Sequence, residues 1–349
     1  MEISVKESNL SKFVFSILIL VYHICIWGYD CTNRWFTFVC GVAMFGFLFL
    51  SGYGLTVSYY KNGMDNFWNK KFIKVYLPAI IVNVFVFIEL ILKNEISFER
   101  EYCLTEILML NKTTNINREL WFLRLLFVWY VVFFITYTYI TNIKIRHAVW
   151  FVITAFMMYT IPEVFGLANT YCLSFSIGVL FAELQNNSKC KKIYSYIQQW
   201  LIALVLVGSY IYVYQSENSG IIFGRHINFF IYIFFTNIIL GCGALLVIIL
   251  CRKLLRKIIY LSKLANMLGG MSLMIYYLQR PLVLDPMIWS NNTMSKVIWM
   301  VIGCGFVLFI SYIYIYMKEK WEVVENYFSS YVCDVCVEWV VCIFIISRI

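Results

Sequence analysis

Ten long apolar stretches constrain this chain of 349 residues more than any other feature of its sequence. They fall near 12–29, 36–58, 72–92, 120–141, 147–162, 169–184, 197–215, 227–250, 265–284 and 297–317, separated by charged or turn-rich breaks. A helix needs about 20 consecutive apolar residues to cross a bilayer, and inside lipid each segment must satisfy its own backbone polar groups. Helices are therefore the elements expected throughout. Hydrophobic residues make up 62% of the chain and charged residues 13%, where a soluble domain carries about a quarter charged. No linker, internal repeat or low-complexity tract divides the sequence. The expectation is an all-α polytopic membrane protein with about ten transmembrane helices over 1–317. A cytoplasmic tail, amphipathic and then apolar, follows over 318–349.

Basic residues set the orientation. With the N-terminus in the cytoplasm, 19 of the 28 Lys and Arg lie on cytoplasmic segments, eight lie opposite, and Arg124 falls within a span. That asymmetry follows the positive-inside rule and places both termini in the cytoplasm of a multi-pass cytoplasmic (inner) membrane protein. The net charge of +9 is then a signal to the anionic leaflet and calls for no nucleic-acid partner. The first span is too long for a cleaved leader and no small-x-small site follows it. Of the twelve cysteines most fall in spans, where the thiol acts as a small hydrophobe. Cys31 and Cys103 lie on external loops, and a disulfide between them has no support. The single CxxC at 333–336 has no second pair or histidine near it, so no metal site is expected.

Within the first span, "FSILILVYHICIWG" (15–28), His23 is the misfit. It lies about 16 Å along the helix axis from Lys12, just past the midplane. Lys12, Ser16, Ile19 and His23 share one helical face, which gives a polar stripe on an apolar helix. Ionisable groups inside a membrane face the bundle interior or a wet cavity. Two readings stand on spacing alone: an interhelical hydrogen bond that fixes packing, or a proton acceptor tuned near neutral pH. His147 and His226 sit at helix starts and read as ordinary boundary residues.

Further along, "GVAMFGFLFLSGYGLTVSYYKN" (41–62) ends an apolar helix in Ser51, Gly52, Tyr53 and Gly54, and "NFWNKKFIKVYLPAI" (66–80) is a basic segment leading to Pro78. "RELWFLRLLFVWY" (118–130) opens the fourth span and "LGGMSLMIYYLQRPLV" (268–283) lies late in the chain. With the Lys12-to-His23 spacing, this ordered set resembles the acyltransferase 3 family of membrane-bound acyltransferases. Two kinds of departure from the family's pattern stand out. Lysines stand at 12, 71 and 74 where arginine is usual, which keeps the charge but loses the bidentate fork. Gln279 occupies the position of a late histidine.

The resemblance implies transfer of an acyl group, commonly acetyl, from cytoplasmic acyl-CoA to a hydroxyl of a cell-envelope glycan or lipid-linked sugar. Acetyl-CoA or another acyl-CoA is then a donor substrate, with no bound cofactor. His23 is the candidate general base, with an acyl-imidazole as the other covalent option. Lys12, Lys70, Lys71 and Lys74 are candidates for the donor's phosphates, against the orientation rule alone as their ordinary reading. Ser51, Gly52, Tyr53, Glu119, Trp121, Arg124, Gln279 and Arg280 are candidate substrate-lining residues. Close helix packing is the other reading of Gly52, and a Glu119 or Glu89 ion pair the other reading of Arg124. A different class stays open beside the enzyme: a transporter or flippase-like carrier using the same polar path. The halves show no symmetry that favours it.

Overall fold

A computed structural model describes residues 2–31, 33–93, 105–109, 117, 120–165, 171–185, 204–205, 207–208, 211, 221–222, 225–226, 229–290 and 292–328. The α-helices that organise them are α1 (Val5–His23), α2 (Arg34–Asn62), α3 (Phe67–Lys71), α4 (Leu77–Leu92), α5 (Trp121–Tyr139), α6 (Ile143–Phe165), α7 (Cys172–Leu184), α8 (Phe229–Lys257), α9 (Ile259–Gln279), α10 (Asp285–Ile288) and α11 (Thr293–Phe328). Among the described residues, π-helical segments interrupt the α geometry at Ile24–Gly28, Phe72–Tyr76 and Arg280–Leu284. The one extended pairing among the described residues joins Ile221 to His226 and Ile222 to Arg225. His226, expected at a helix start, thus sits in this short ribbon, and α8 begins at Phe229.

The all-helical expectation holds. Among the described residues, six stretches are long and apolar enough to cross a membrane: Val5–Gly28, Arg34–Asn62, Phe67–Leu92, Trp121–Tyr139, Ile233–Lys257 and Thr293–Met317. Other expected spans are shorter or more polar where they are described. The stretch at 169–184 yields α7, whose 13 residues reach only about 20 Å of a hydrocarbon core about 30 Å thick. α9 interrupts its apolar residues with Ser262, Lys263, Asn266, Gly269, Gly270 and Ser272. The stretch at 197–215 lies mostly outside the described residues. The last helix continues unbroken past position 317 to Phe328.

The chain divides into two compact units, Met1–Gly63 with Ile135–Ser272, and Met64–Phe134 with Leu273–Ile349. In the first unit α2 is the central helix, packed by α1, α7 and α8. Its approach to α7 is made possible by two glycines. A Cβ on Gly52 would stand 2.3 Å from the Phe175 carbonyl oxygen, and one on Gly178 would stand 2.1 Å from that of Phe49. Only hydrogen at both places lets the two backbones meet, the small-residue crossing common in membrane bundles. Phe49 and Phe181 close the seam edge to face at 5.5 Å.

The N-terminus is tied down at several points. Ser4 and Glu7 form a capping box that starts α1. Arg252 of α8 donates to both Glu7 carboxylate oxygens at 2.6 and 2.8 Å, and to the Glu2 carbonyl. The Ile3 amide donates to the Tyr53 hydroxyl at 2.9 Å, which in turn donates to Gln185 at 2.9 Å. These contacts start α1 at Val5, well ahead of the apolar stretch itself.

In the second unit, aromatic side chains from α3 and α5 interlock. Phe67 stacks on Phe133 at 6.2 Å, and Trp68 meets Phe127 at 5.8 Å. The Tyr277 hydroxyl, wholly buried, donates to the carbonyl of Val75 at 2.8 Å, inside the π segment. A π turn leaves carbonyls out of the α ladder, and a buried carbonyl needs a partner. Tyr277 supplies it.

Candidate functional site

The catalytic candidate is placed by the end of α1. His23 is the last α-helical residue before the π segment Ile24–Gly28, and only 7% of it is exposed. Its neighbours on the stripe behave alike: Ser16 and Ile19 are buried, while Val21 and Trp27 on other faces are exposed. Lys12 is half-buried. The stripe therefore turns inward. The Ser16 hydroxyl donates to the carbonyl of Ser272 on α9 at 2.9 Å, with the Lys12 carbonyl as a second acceptor at 3.0 Å. Asn9 and Asn266 join the same two helices at 3.1 Å. The opening of the late-chain motif, "LGGMS" (268–272), is thus fastened through Ser272 to the helix of His23, within the first unit.

The second motif lies on α2, in the same unit. Gly52 and Tyr53 are buried, Gly52 against the α7 backbone and Tyr53 between the Ile3 amide and Gln185. Ser51 donates back to the Phe47 carbonyl at 2.8 Å. Gly54 has open space beside it.

The remaining candidates belong to the second unit. Lys70 is exposed and donates to the Asp65 carbonyl at 3.0 Å. Lys71 is half-buried, with its ammonium 5.6 Å from the ring centre of Phe67 and 5.2 Å from that of Tyr130. Lys74 is exposed inside the π segment, whose wider turn sets it at a different angle from Lys71 than an α-helix would. Trp121 is half-buried at the start of α5, and Arg124, one turn further on, is 6% exposed. Gln279 closes α9 and is wholly buried, and neither atom of its amide has a hydrogen-bond partner among the described residues. Arg280 pairs with Asp285 at 2.6 Å. Burial raises the Asp285 pKa above its ordinary value, with the Arg280 charge pulling the other way. Glu119 lies outside the described residues.

Three segments distant in sequence meet inside this unit. Tyr277 bonds the basic segment through Val75, Tyr76 reaches the Leu123 carbonyl at 3.5 Å, and Phe122 packs edge-on to Tyr276 at 5.8 Å. Each of the three π segments begins next to a candidate: after His23, after Lys71 and after Gln279. Such segments recur at functional sites, because the extra residue re-aims side chains that an α-helix would fix.

Sequence reading missed a second polar cluster, in the first unit. The Glu183 side chain, on α7, is completely buried. Arg146 donates to it at 2.9 and 3.1 Å, Tyr137 at 2.7 Å and Tyr60 at 3.4 Å, and the His147 imidazole meets its other oxygen. His147 is thus no ordinary boundary residue. A basic residue at a helix start and an acid 37 positions on carry no local pattern that joins them. Cys31, the described half of the unsupported disulfide, is a free thiol.

Apolar helices carrying inward-facing ionisable groups define a multi-pass membrane protein with polar chemistry in its interior. Among protein families, the Acyl_transf_3 family, described as an acyltransferase domain, matches residues 5–337, and the chain belongs to it. No curated protein and no solved structure matches the chain. The chain is therefore an acyltransferase, and its multi-pass membrane character rests on the family together with its apolar helices.

Proposed function

We propose that this acyltransferase takes an acyl group, acetyl above others, from acyl-CoA at the cytoplasmic face of the inner membrane. It passes the group to a hydroxyl of an envelope glycan or lipid-linked sugar. The observation that carries the reading is the placement of His23, buried on an inward polar stripe where α1 gives way to a π segment. An alcohol attacking a thioester must lose its proton, and an imidazole is suited to take it near neutral pH. The oxygen forms the new ester bond, the carbon–sulfur bond breaks, and the imidazolium returns the proton to the CoA sulfur, which leaves as the thiol.

Donor phosphates fit Lys70, Lys71 and Lys74, with Lys12 as a further cation; ammonium groups serve as point charges where a guanidinium would grip two oxygens. Trp121, Arg124 and Gln279 are the acceptor-side candidates best supported by burial or by the packing around them. Gln279 in particular carries a buried amide with unspent hydrogen-bonding capacity. Gly52 and Tyr53 have packing duties that account for them. Both termini are proposed to be cytoplasmic, with 318–349 as a tail beyond the transmembrane domain.

The test replaces His23 with alanine in folded, membrane-inserted protein and follows radiolabelled acetyl into envelope glycan. Loss of a general base lowers the rate by about 10²–10⁴, so labelling is expected to fall to background. Undiminished labelling would remove His23 from the mechanism.

A further inference from the structure

The second unit holds a cavity that none of the acyl-transfer candidates lines. Its volume is about 600 Å³, within the range of about 300–1,000 Å³ typical of small-molecule sites. Two indoles, Trp289 and Trp299, form its walls, with Glu89, Lys93, Ser290 and Ser295 supplying polar groups. Its floor depends on a close backbone approach. A Cβ on Gly303 of α11 would stand 2.3 Å from the Leu282 carbonyl oxygen, so glycine lets α11 lie against the π segment Arg280–Leu284.

Charge at this cavity is already balanced. Lys93 and Glu89 form an ion pair at 2.6 Å, and the Lys93 ammonium sits 4.0 Å from the ring centre of Trp289. Arg280 and Asp285 pair at 2.6 Å in the segment that contributes Pro281 and Pro286 to the wall. An anion would find each of these cations facing a carboxylate. An apolar ligand would use the indoles but make nothing of the two serines and the Lys93–Glu89 pair. A sugar answers both halves of the lining: its C–H face lies flat on an indole, while its hydroxyls donate to a carboxylate and accept from an ammonium or a serine.

We infer that this cavity binds a neutral saccharide, through stacking on Trp299 and hydroxyl contacts to Glu89, Lys93 and Ser295. The assignment of that saccharide as the acceptor rests on the acyl-transfer reading above. Saccharide binding by itself does not.

The experiment measures binding of radiolabelled maltotriose, cellotriose and N-acetylchitotriose to the full chain in nanodiscs by equilibrium dialysis. Native protein, His23→Ala, Trp299→Ala, Trp299→Phe and Glu89→Gln are compared, with inorganic phosphate and phosphatidylglycerol nanodiscs as competitors. At least one trisaccharide is expected to bind saturably to native protein and to His23→Ala alike. Trp299→Ala should weaken binding about tenfold, the size of one stacked aromatic contact. Trp299→Phe should restore part of it, and Glu89→Gln should weaken it without loss of folded protein. The inference is overturned if no trisaccharide binds, or if the cavity variants bind as the native chain does. It is also overturned if phosphate or phosphatidylglycerol displaces the sugar, which would make this a headgroup site. Saccharide binding without acetyl transfer would refute only the proposed function; saccharide binding together with transfer that ignores Trp299 and Glu89 would remove only the assignment of the bound saccharide as the acceptor.

Discussion

At the level of single residues, Glu183 shows how a buried charge is kept. A carboxylate out of water is costly unless it is paired and fully hydrogen-bonded, and here Arg146, His147, Tyr137 and Tyr60 all converge on it. Arg146 is itself buried and lies over the Tyr137 ring at 4.2 Å, so each charge depends on the other. Glu183→Ala leaves the guanidinium without its main counter-charge, and breaking a buried pair costs about 3–5 kcal/mol. Folded yield and melting temperature in detergent are expected to drop sharply. Glu183→Gln keeps acceptor capacity and should fall between the two. If Glu183→Ala melts with the native protein, the cluster contributes nothing to the fold. Gln279 is the opposite case, a buried amide that nothing described satisfies. Its position in the sequence was readable from the motif; its burial was not, since neighbours in space do not appear in a linear pattern.

Among the helices, the crossing of α2 and α7 makes a sharper claim. Gly52 and Gly178 face the opposing backbone, whereas Gly54, a little further along α2, has open space beside it. Alanine is the better helix former by about 0.5–1 kcal/mol, so Gly54→Ala should be neutral or mildly stabilising. Gly52→Ala and Gly178→Ala gain the same propensity but force two backbones apart, at a net cost of about 1–3 kcal/mol. Thermal unfolding of the three variants side by side checks this, and equal melting temperatures would refute the contact. Hydrophobic runs made these helices legible, because lipid demands long apolar stretches and little else yields them. Ser51-Gly52-Tyr53-Gly54 was legible as a feature, though which glycine meets a backbone was not. The π segments left no trace in the periodicity. Inserting one residue into a helix that is apolar on most faces does not disturb a hydrophobic pattern.

For the whole molecule the open quantity is topology, and parity decides it. Ten spans return the chain to its starting side, and so does any smaller even number. α7 is too short to cross unaided, and α6 is not among the six described stretches long and apolar enough to cross. If α6 and α7 both cross, or both stay on the cytoplasmic side, everything after them keeps its orientation. The cavity built by the end of α4 and the start of α11 then opens on the outer side, under the orientation proposed from the distribution of Lys and Arg. Alkaline phosphatase is active only when exported, which makes it a reporter of side. Fused after Gly63 it is expected to be inactive, and fused after position 168 or after Ser290 it is expected to be active. Activity at Ser290 with none at position 168 would mean that α6 and α7 stay on the cytoplasmic side as a pair, leaving the cavity where an envelope acceptor can reach it. Inactivity at Ser290 would place the cavity in the cytoplasm, and no glycan outside the membrane could then be its ligand.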